Sequence, residues 1–385
     1  MNRHQRLGFS LDEYLRRYQL VLEKMRQMKV DVLLVRGPEN ITYLSGYETP
    51  GYYRYHCLII APGEEPVLVL RRFEELNIPE YSWLTRHEPV DDWEHPPEVT
   101  VRVLERMGLN DKRIGVEKAG WFFTVDEYET FERSLPKATF VDATRMVEEA
   151  RLIKSDEEIA VMRRAAAILD EAVQAGIDAS APGVNDDYVN ATVNKVLLEN
   201  GGEYMGLPPF ILSGERTCLP HQTARSEIIK DRDIVYFEVS CSKYRYAAAI
   251  MRTIFIGEPD SRQQACAEAV IGGLNAALDI IRPGVTCEQV DHAARSVIEK
   301  AGFGEHFRHR LGYSIGVNYP PDWGEGQILS LQKREPRPLE PGMCFHMVPL
   351  CLIYREFGIG FSETIYVTDD GCEWFSTLPR QIIVK

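Results

Sequence analysis

One helix–helix–strand–strand unit is written twice in the second half of this chain. Asp156 to Asp178 carries a long helical pattern, and Ala181-Pro-Gly-Val-Asn-Asp-Asp-Tyr-Val-Asn190 then opens a second helix that ends at Glu199-Asn-Gly-Gly202. Gln263 to Ile281 repeats the first pattern, and Arg282-Pro-Gly-Val-Thr-Cys-Glu-Gln-Val-Asp291 repeats the second, ending at Lys300-Ala-Gly-Phe-Gly304. The strand portions match as well. Asp233-Ile-Val-Tyr-Phe-Glu238 corresponds to Gly342-Met-Cys-Phe-His-Met347, and Ile250–Gly257 corresponds to Phe361–Thr368. One copy alone cannot bury its sheet face, so two copies packed about a pseudo-twofold axis are expected, with the sheets as one curved floor under four helices. A cleft on that axis would receive Glu238 from one half and Met347 from the other.

The residues ahead of the repeat alternate strand and helix. Val30–Val35, Cys57–Ile60, Pro66–Leu70, Arg113–Val116 and Thr139–Val141 read as strands, with helices near 98–107 and 126–134. Ser10-Leu-Asp-Glu13 has the pattern of a capping box and should open a helix. The expected organisation is therefore an α/β domain over 1–150 and a duplicated α+β domain over 151–385, joined at the charged segment Arg151-Leu-Ile-Lys-Ser155. A net charge of −14 argues against a nucleic-acid or anionic-membrane partner. The eight cysteines include no CxxC pair and are read as reduced core thiols of a cytoplasmic protein. The leading Met1–Arg6 lacks the apolar run of a signal peptide, and no segment is apolar over the ~18 residues that a membrane span needs.

Glu238 falls inside the apolar run that follows Asp231-Arg-Asp233, where a carboxylate is costly unless it is paired or used. The run continues through Ser240-Cys-Ser-Lys-Tyr-Arg-Tyr246, read as the polar connection of a hairpin. Upstream, Pro220-His221-Gln222 places an imidazole on a loop ahead of that strand. A strand carboxylate and a loop imidazole make a plausible acid/base pair.

The duplicated layout behind an α/β domain resembles the pita-bread family of creatinases, prolidases and aminopeptidases. The two Pro-Gly helix starts, Gly312-Tyr-Ser-Ile-Gly316, Glu340-Pro-Gly-Met343 and Glu363-Thr-Ile-Tyr-Val-Thr368 fall in the order of that family. Its metallopeptidases hold two divalent ions with two Asp, one His and two Glu, anionic ligands that offset four positive charges. By resemblance those positions here are Glu238, Ala249, Tyr313, Met347 and Ser362. One carboxylate among five implies no metal and no other cofactor, and sets the aminopeptidase reading aside.

Metal-free hydrolases of small C–N compounds occur on this fold. In the creatinase branch a His ahead of the strand acts as acid/base, where His221 stands, and an aromatic residue and an Arg from the neighbouring subunit grip the substrate, where Tyr52 and Arg54 stand. The resemblance thus implies a homodimer with Arg54 delivered across the interface, its planar fork suiting a carboxylate. The two glutamates that hold creatine's guanidinium correspond here to Met251 and Met347, which tells against creatine. A closer likeness is to the ectoine-hydrolase branch, through Glu238, Tyr244-Arg-Tyr246, Gly312–Gly316, Tyr319-Pro-Pro-Asp-Trp-Gly-Glu325 and Phe345-His346. Gly326 and Ala247 depart from that branch, which carries Arg and His there. The implied activity is metal-independent opening of a C–N bond in a small, carboxylate-bearing cyclic amidine or amide. Glu238 would attack or orient, His221 would move the proton, and Tyr313, His346 and Glu363 would line the pocket. A creatinase-like amidinohydrolase and a non-catalytic small-molecule binder are the alternatives.

Overall fold

A computed structural model describes residues 6–385, so most of the leading stretch read above for a signal peptide lies outside the described residues. The chain divides into two compact units between Arg151 and Leu152. The first unit is built on a six-stranded mixed sheet. Its strands are β1 (Val32–Val35), β2 (His56–Ile60), β3 (Val67–Arg71), β4 (Arg86–Val90), β5 (Arg113–Val116) and β6 (Thr139–Asp142), in the order β4-β3-β2-β1-β5-β6. The strand β4, Arg-His-Glu-Pro-Val, was not expected from sequence. It lies at the sheet edge with polar residues and a proline, the composition by which edges resist further pairing. Ser10 caps the helix Leu11–Met28 by accepting the Glu13 N–H at 3.1 Å, but the capping box stays half made. Arg16 and Arg17 hold the Glu13 carboxylate instead.

The second unit contains the duplication. Its helices Asp156–Ala179 and Asp186–Glu199 are answered by Ser261–Leu278 and Cys287–Lys300. Gly183 and Gly284, the repeat-related residues after each proline, stand at φ 86° and 88°, where a side chain would be strained. In the second copy Thr286 and Gln289 form a complete capping box that satisfies two otherwise orphaned N–H groups. Thr286→Ala should therefore lower the unfolding free energy by about 1 kcal/mol, seen as a lower urea midpoint at unchanged slope.

The first copy contributes β7 (Phe210–Ser213), β8 (Ile234–Lys243) and β9 (Tyr246–Phe255), with β17 (Ile383–Val384) joining at the edge. The second contributes β10 (Gly312–Ser314), β11 (Ser330–Leu331), β12 (Cys344–Met347), β15 (Glu363–Val367) and β16 (Cys372–Trp374). Between β12 and β15 the chain makes an extra hairpin of β13 (Leu350–Ile353) and β14 (Phe357–Gly360).

Two expectations change here. Ser240–Lys243 is not part of a loop but continues β8, paired residue for residue with β9. Only Tyr244 and Arg245 turn, at φ 46° and 61°, as a two-residue hairpin of this twist requires. Neither is Gly, and the strain is offset locally. Glu203 accepts both N–H groups, and the Arg245 guanidinium donates to Tyr204 O and Asn318 O. The second concerns how the floor is joined, which is through separate four-stranded, five-stranded and two-stranded sheets. The two copies are stitched by side chains across β9 and β15. Thr364 Oγ1 donates to Ala249 O at 2.8 Å and accepts from Ala249 N, while Ser362 Oγ accepts from Met251 N. Hydroxyls thus replace the missing backbone partners.

All eight cysteines are free thiols, and all but Cys372 are buried. Among the described residues no helix is long and apolar enough to cross a membrane.

Candidate active site

The alternation of a strand puts Tyr236 and Glu238 on one face of β8. They open onto a cavity of about 380 Å³ whose lining comes entirely from residues between Phe210 and Leu352. Phe210 on β7 and Met251 on β9 stand opposite Glu238 in the ladders and close its flanks. The Tyr236 hydroxyl donates to Glu238 Oε2 at 2.6 Å. Burial pushes the Glu238 carboxyl up to about 7, against the opposing pull of that hydrogen bond. The acid is therefore shared between its two protonation states near neutral pH, as an acid/base group requires.

His221 lines the same cavity from the loop between β7 and β8. Its ring lies on Phe210, with centroids 5.5 Å apart, and its backbone is held at φ 54°. Tyr313 enters from β10. Its hydroxyl accepts the Trp323 Nε1–H at 2.8 Å and meets His346 Nδ1 at 2.9 Å. His346 Nε2 in turn meets Ser362 Oγ at 2.7 Å. Burial lowers the His346 imidazole to about 3, so it is neutral. The network is satisfied when Tyr313 donates to Nδ1 and Nε2–H donates to Ser362. His346 is thus one layer behind the cavity and fixes the direction of the Tyr313 phenol.

Two lining residues were not anticipated from sequence. His309 Nδ1 stands 2.6 Å from the Arg310 carbonyl, which can only accept, so Nδ1 carries the proton. Burial lowers this imidazole to about 4. Its Nε2 is then an unprotonated acceptor that has no hydrogen-bond partner among the described residues. Arg310 follows, with its guanidinium carbon 4.8 Å from the centroid of the Tyr313 ring. Both precede Gly312-Tyr313 in the chain, and their proximity to that motif was the available signal.

One expected pocket residue falls elsewhere. Glu363 lies outside the lining and is fully buried against Arg252 at 2.8 Å, with Arg380 at 3.5 Å. Burial raises its carboxyl, while the two guanidiniums pull the other way. Its neighbours identify a buried ion pair. Tyr52 and Arg54 belong to the first unit, on and just after the short helix Pro50–Tyr53. Tyr52 packs edge-on against Tyr53 and Phe122, and the Arg54 guanidinium lies over Tyr53.

The five positions assigned by resemblance to metal ligands do not supply the donors of a dinuclear centre. Glu238 is a lone carboxyl, Ala249 and Met347 are buried with no oxygen to offer, and Ser362 is occupied by His346 and Met251. Tyr313 is a phenol that burial holds above its ordinary range, hence protonated. Among the described residues no group of three His, Cys, Asp or Glu side chains is arranged to hold a metal ion.

Residues 160–369 match the family model "Metallopeptidase family M24", and residues 17–153 match "Creatinase/Prolidase N-terminal domain". The chain is 31% identical to an uncharacterized hydrolase/peptidase of Sinorhizobium fredii, over 98% of this chain and 99% of that protein. It is 29% identical to an ectoine hydrolase of Halomonas elongata, again over 98% and 99%. Among solved structures, the prolidase from Pyrococcus horikoshii superposes with a TM-score of 0.84 at 25% identity, covering 96% of this chain and 100% of that one.

Proposed function

The chain belongs to metallopeptidase family M24 and carries that family's creatinase/prolidase N-terminal domain, and on that premise we propose that it hydrolyses a non-peptide C–N bond without a metal. The substrate class is a small cyclic amidine or amide bearing a carboxylate, in the manner that the name of the Halomonas relative indicates. The observation that carries this reading is the donor set of the cavity. A single carboxyl shifted to about 7 and flanking imidazoles remain where two cations would need five ligands.

Ring opening adds one water across the C–N bond, oxygen to the carbon and a proton to the departing nitrogen. Glu238 in its ionised form faces the electrophilic carbon, as nucleophile or as base toward water. Label found in Glu238 after a single turnover in ¹⁸O-labelled water marks the covalent route with water attacking the Glu238 carboxyl carbon. His221 relays the proton to nitrogen, since an imidazole can both take up and give back a proton. Tyr313, with its proton directed by His346, supplies a fixed oxygen at the wall. We extend the reading to a homodimer in the cytoplasm, with Arg54 of the partner subunit reaching the substrate; light scattering tests the dimer.

Turnover of ectoine, followed by proton NMR, should proceed at the same rate with and without EDTA. Xaa-Pro dipeptide cleavage appearing only on addition of Mn²⁺ or Co²⁺ would overturn the proposal. Release of urea from creatine would favour the amidinohydrolase, and ligand shifts without turnover a binding protein.

A further inference from the structure

We propose that Arg310 is the specificity-determining residue of this cavity, clamping the ligand's carboxylate from within the same chain. Other buried or half-buried arginines of this unit are already neutralised. Arg252 is held by Glu363, Arg295 by Asp291 and Arg337 by Glu335. Arg310 forms no ion pair among the described residues, yet it lines the cavity as its one permanently charged cation. An arginine retains its charge in any environment a protein offers, so an unpaired one at a cavity wall is a ready anion site.

Its location follows from Gly326. A Cβ placed on Gly326 would come 2.6 Å from Arg310 Nη2, 3.1 Å from its Cζ and 3.2 Å from Tyr313 Cβ. The absence of a side chain at 326 is therefore what leaves room for the guanidinium against Tyr313. The cavity wall thus holds both an acid, Glu238, and a cation, Arg310, whose guanidinium carbon is 4.8 Å from the Tyr313 ring centroid. Leu212, Val348, Leu350 and Leu352 add apolar wall to the same cavity. This polarity matches a compact ligand whose reacting C–N centre faces Glu238 and whose carboxylate meets Arg310. The inference rests on the reading of Glu238 as the reacting end.

The test uses ligand-observed NMR titrations of the full chain with butyrate and with its uncharged isostere butanamide, probes that do not depend on the natural substrate. The wild type should prefer butyrate by about 10–100-fold, the worth of one charge-assisted contact. Arg310→Met should erase the preference. Arg310→Lys should keep part of it, since a point charge cannot replace the planar fork. Gly326→Ala should weaken it with the arginine still present. Equal or absent binding of the two probes by folded wild type, or a preference that survives Arg310→Met, overturns the proposal. The two readings separate cleanly. Butyrate preference without ectoine turnover removes only the substrate named above, whereas ectoine turnover with an unchanged KM in Arg310→Met removes only the role of Arg310.

Discussion

Glu238→Gln should abolish turnover and at the same time make the protein more stable at alkaline pH. The two effects share one cause. The fold raises this carboxyl from 4.5 to about 7 by taking it out of water, so the ionised form is the disfavoured one. Below the unfolded value both states hold the proton and the group contributes nothing. As pH rises toward 7 the unfolded chain ionises first, and stability falls across that window. Above it the cost is complete, about 3 kcal/mol for a shift of this size. Gln removes the ionisation while still accepting from the Tyr236 hydroxyl, whose bond to Oε2 is 2.6 Å. Urea unfolding should thus show the variant roughly 3 kcal/mol more stable at pH 8.5 and equal to wild type near pH 4. Turnover should drop by roughly 10⁴-fold, toward the upper end for acid/base groups. A variant destabilised at pH 8.5 would show that Glu238 is a structural partner, retained for the fold and not for chemistry.

What the sequence disclosed and what it hid divide along the range of the interactions. The four helices of the duplication were legible because helical periodicity and the two Pro-Gly starts are local signals; Ser155, Asn185, Asp260 and Thr286 cap them, each within three residues of itself. The two-unit organisation was read from the same kind of local pattern. The stitching of the copies through Thr364 and Ser362 was not, because a hydroxyl in a strand looks alike whether it faces water or a backbone across a pseudo-axis. Ser240–Lys243 misled for a related reason. Polar residues suggested a connection, yet Ser242 is buried and bonded to Asn318, far away in sequence. Glu363 was expected at the pocket because its motif was recognised, and only the fold shows Arg252 and Arg380 holding it. Arg310 went unnoticed since nothing local says that Gly326 will make space for it.

His221→Ala should lower kcat by about 10²–10⁴-fold with almost no change in stability. The residue is solvent-exposed and makes no hydrogen bond among the described residues, so the folded state loses little beyond contact with Phe210. Its backbone nevertheless sits at φ 54°, a conformation that is costly for a side chain bearing a Cβ and that Ala does not relieve. A loop held in this way at the mouth of a cavity, presenting the one imidazole there whose Nδ1 is not tied to a carbonyl and whose ring is not buried, is arranged for proton transfer. His309 cannot take over. Burial holds it near 4, too weak a base to return a proton to a departing nitrogen at neutral pH. Added imidazole should therefore restore part of the lost rate in His221→Ala, with a dependence on the protonated fraction of the added imidazole, and should restore none in Glu238→Gln. If kcat of His221→Ala stays within tenfold of wild type, or if Glu238→Gln is the variant that responds to imidazole, the assignment of the proton relay to this loop is wrong and the acid must come from Tyr313 or from solvent.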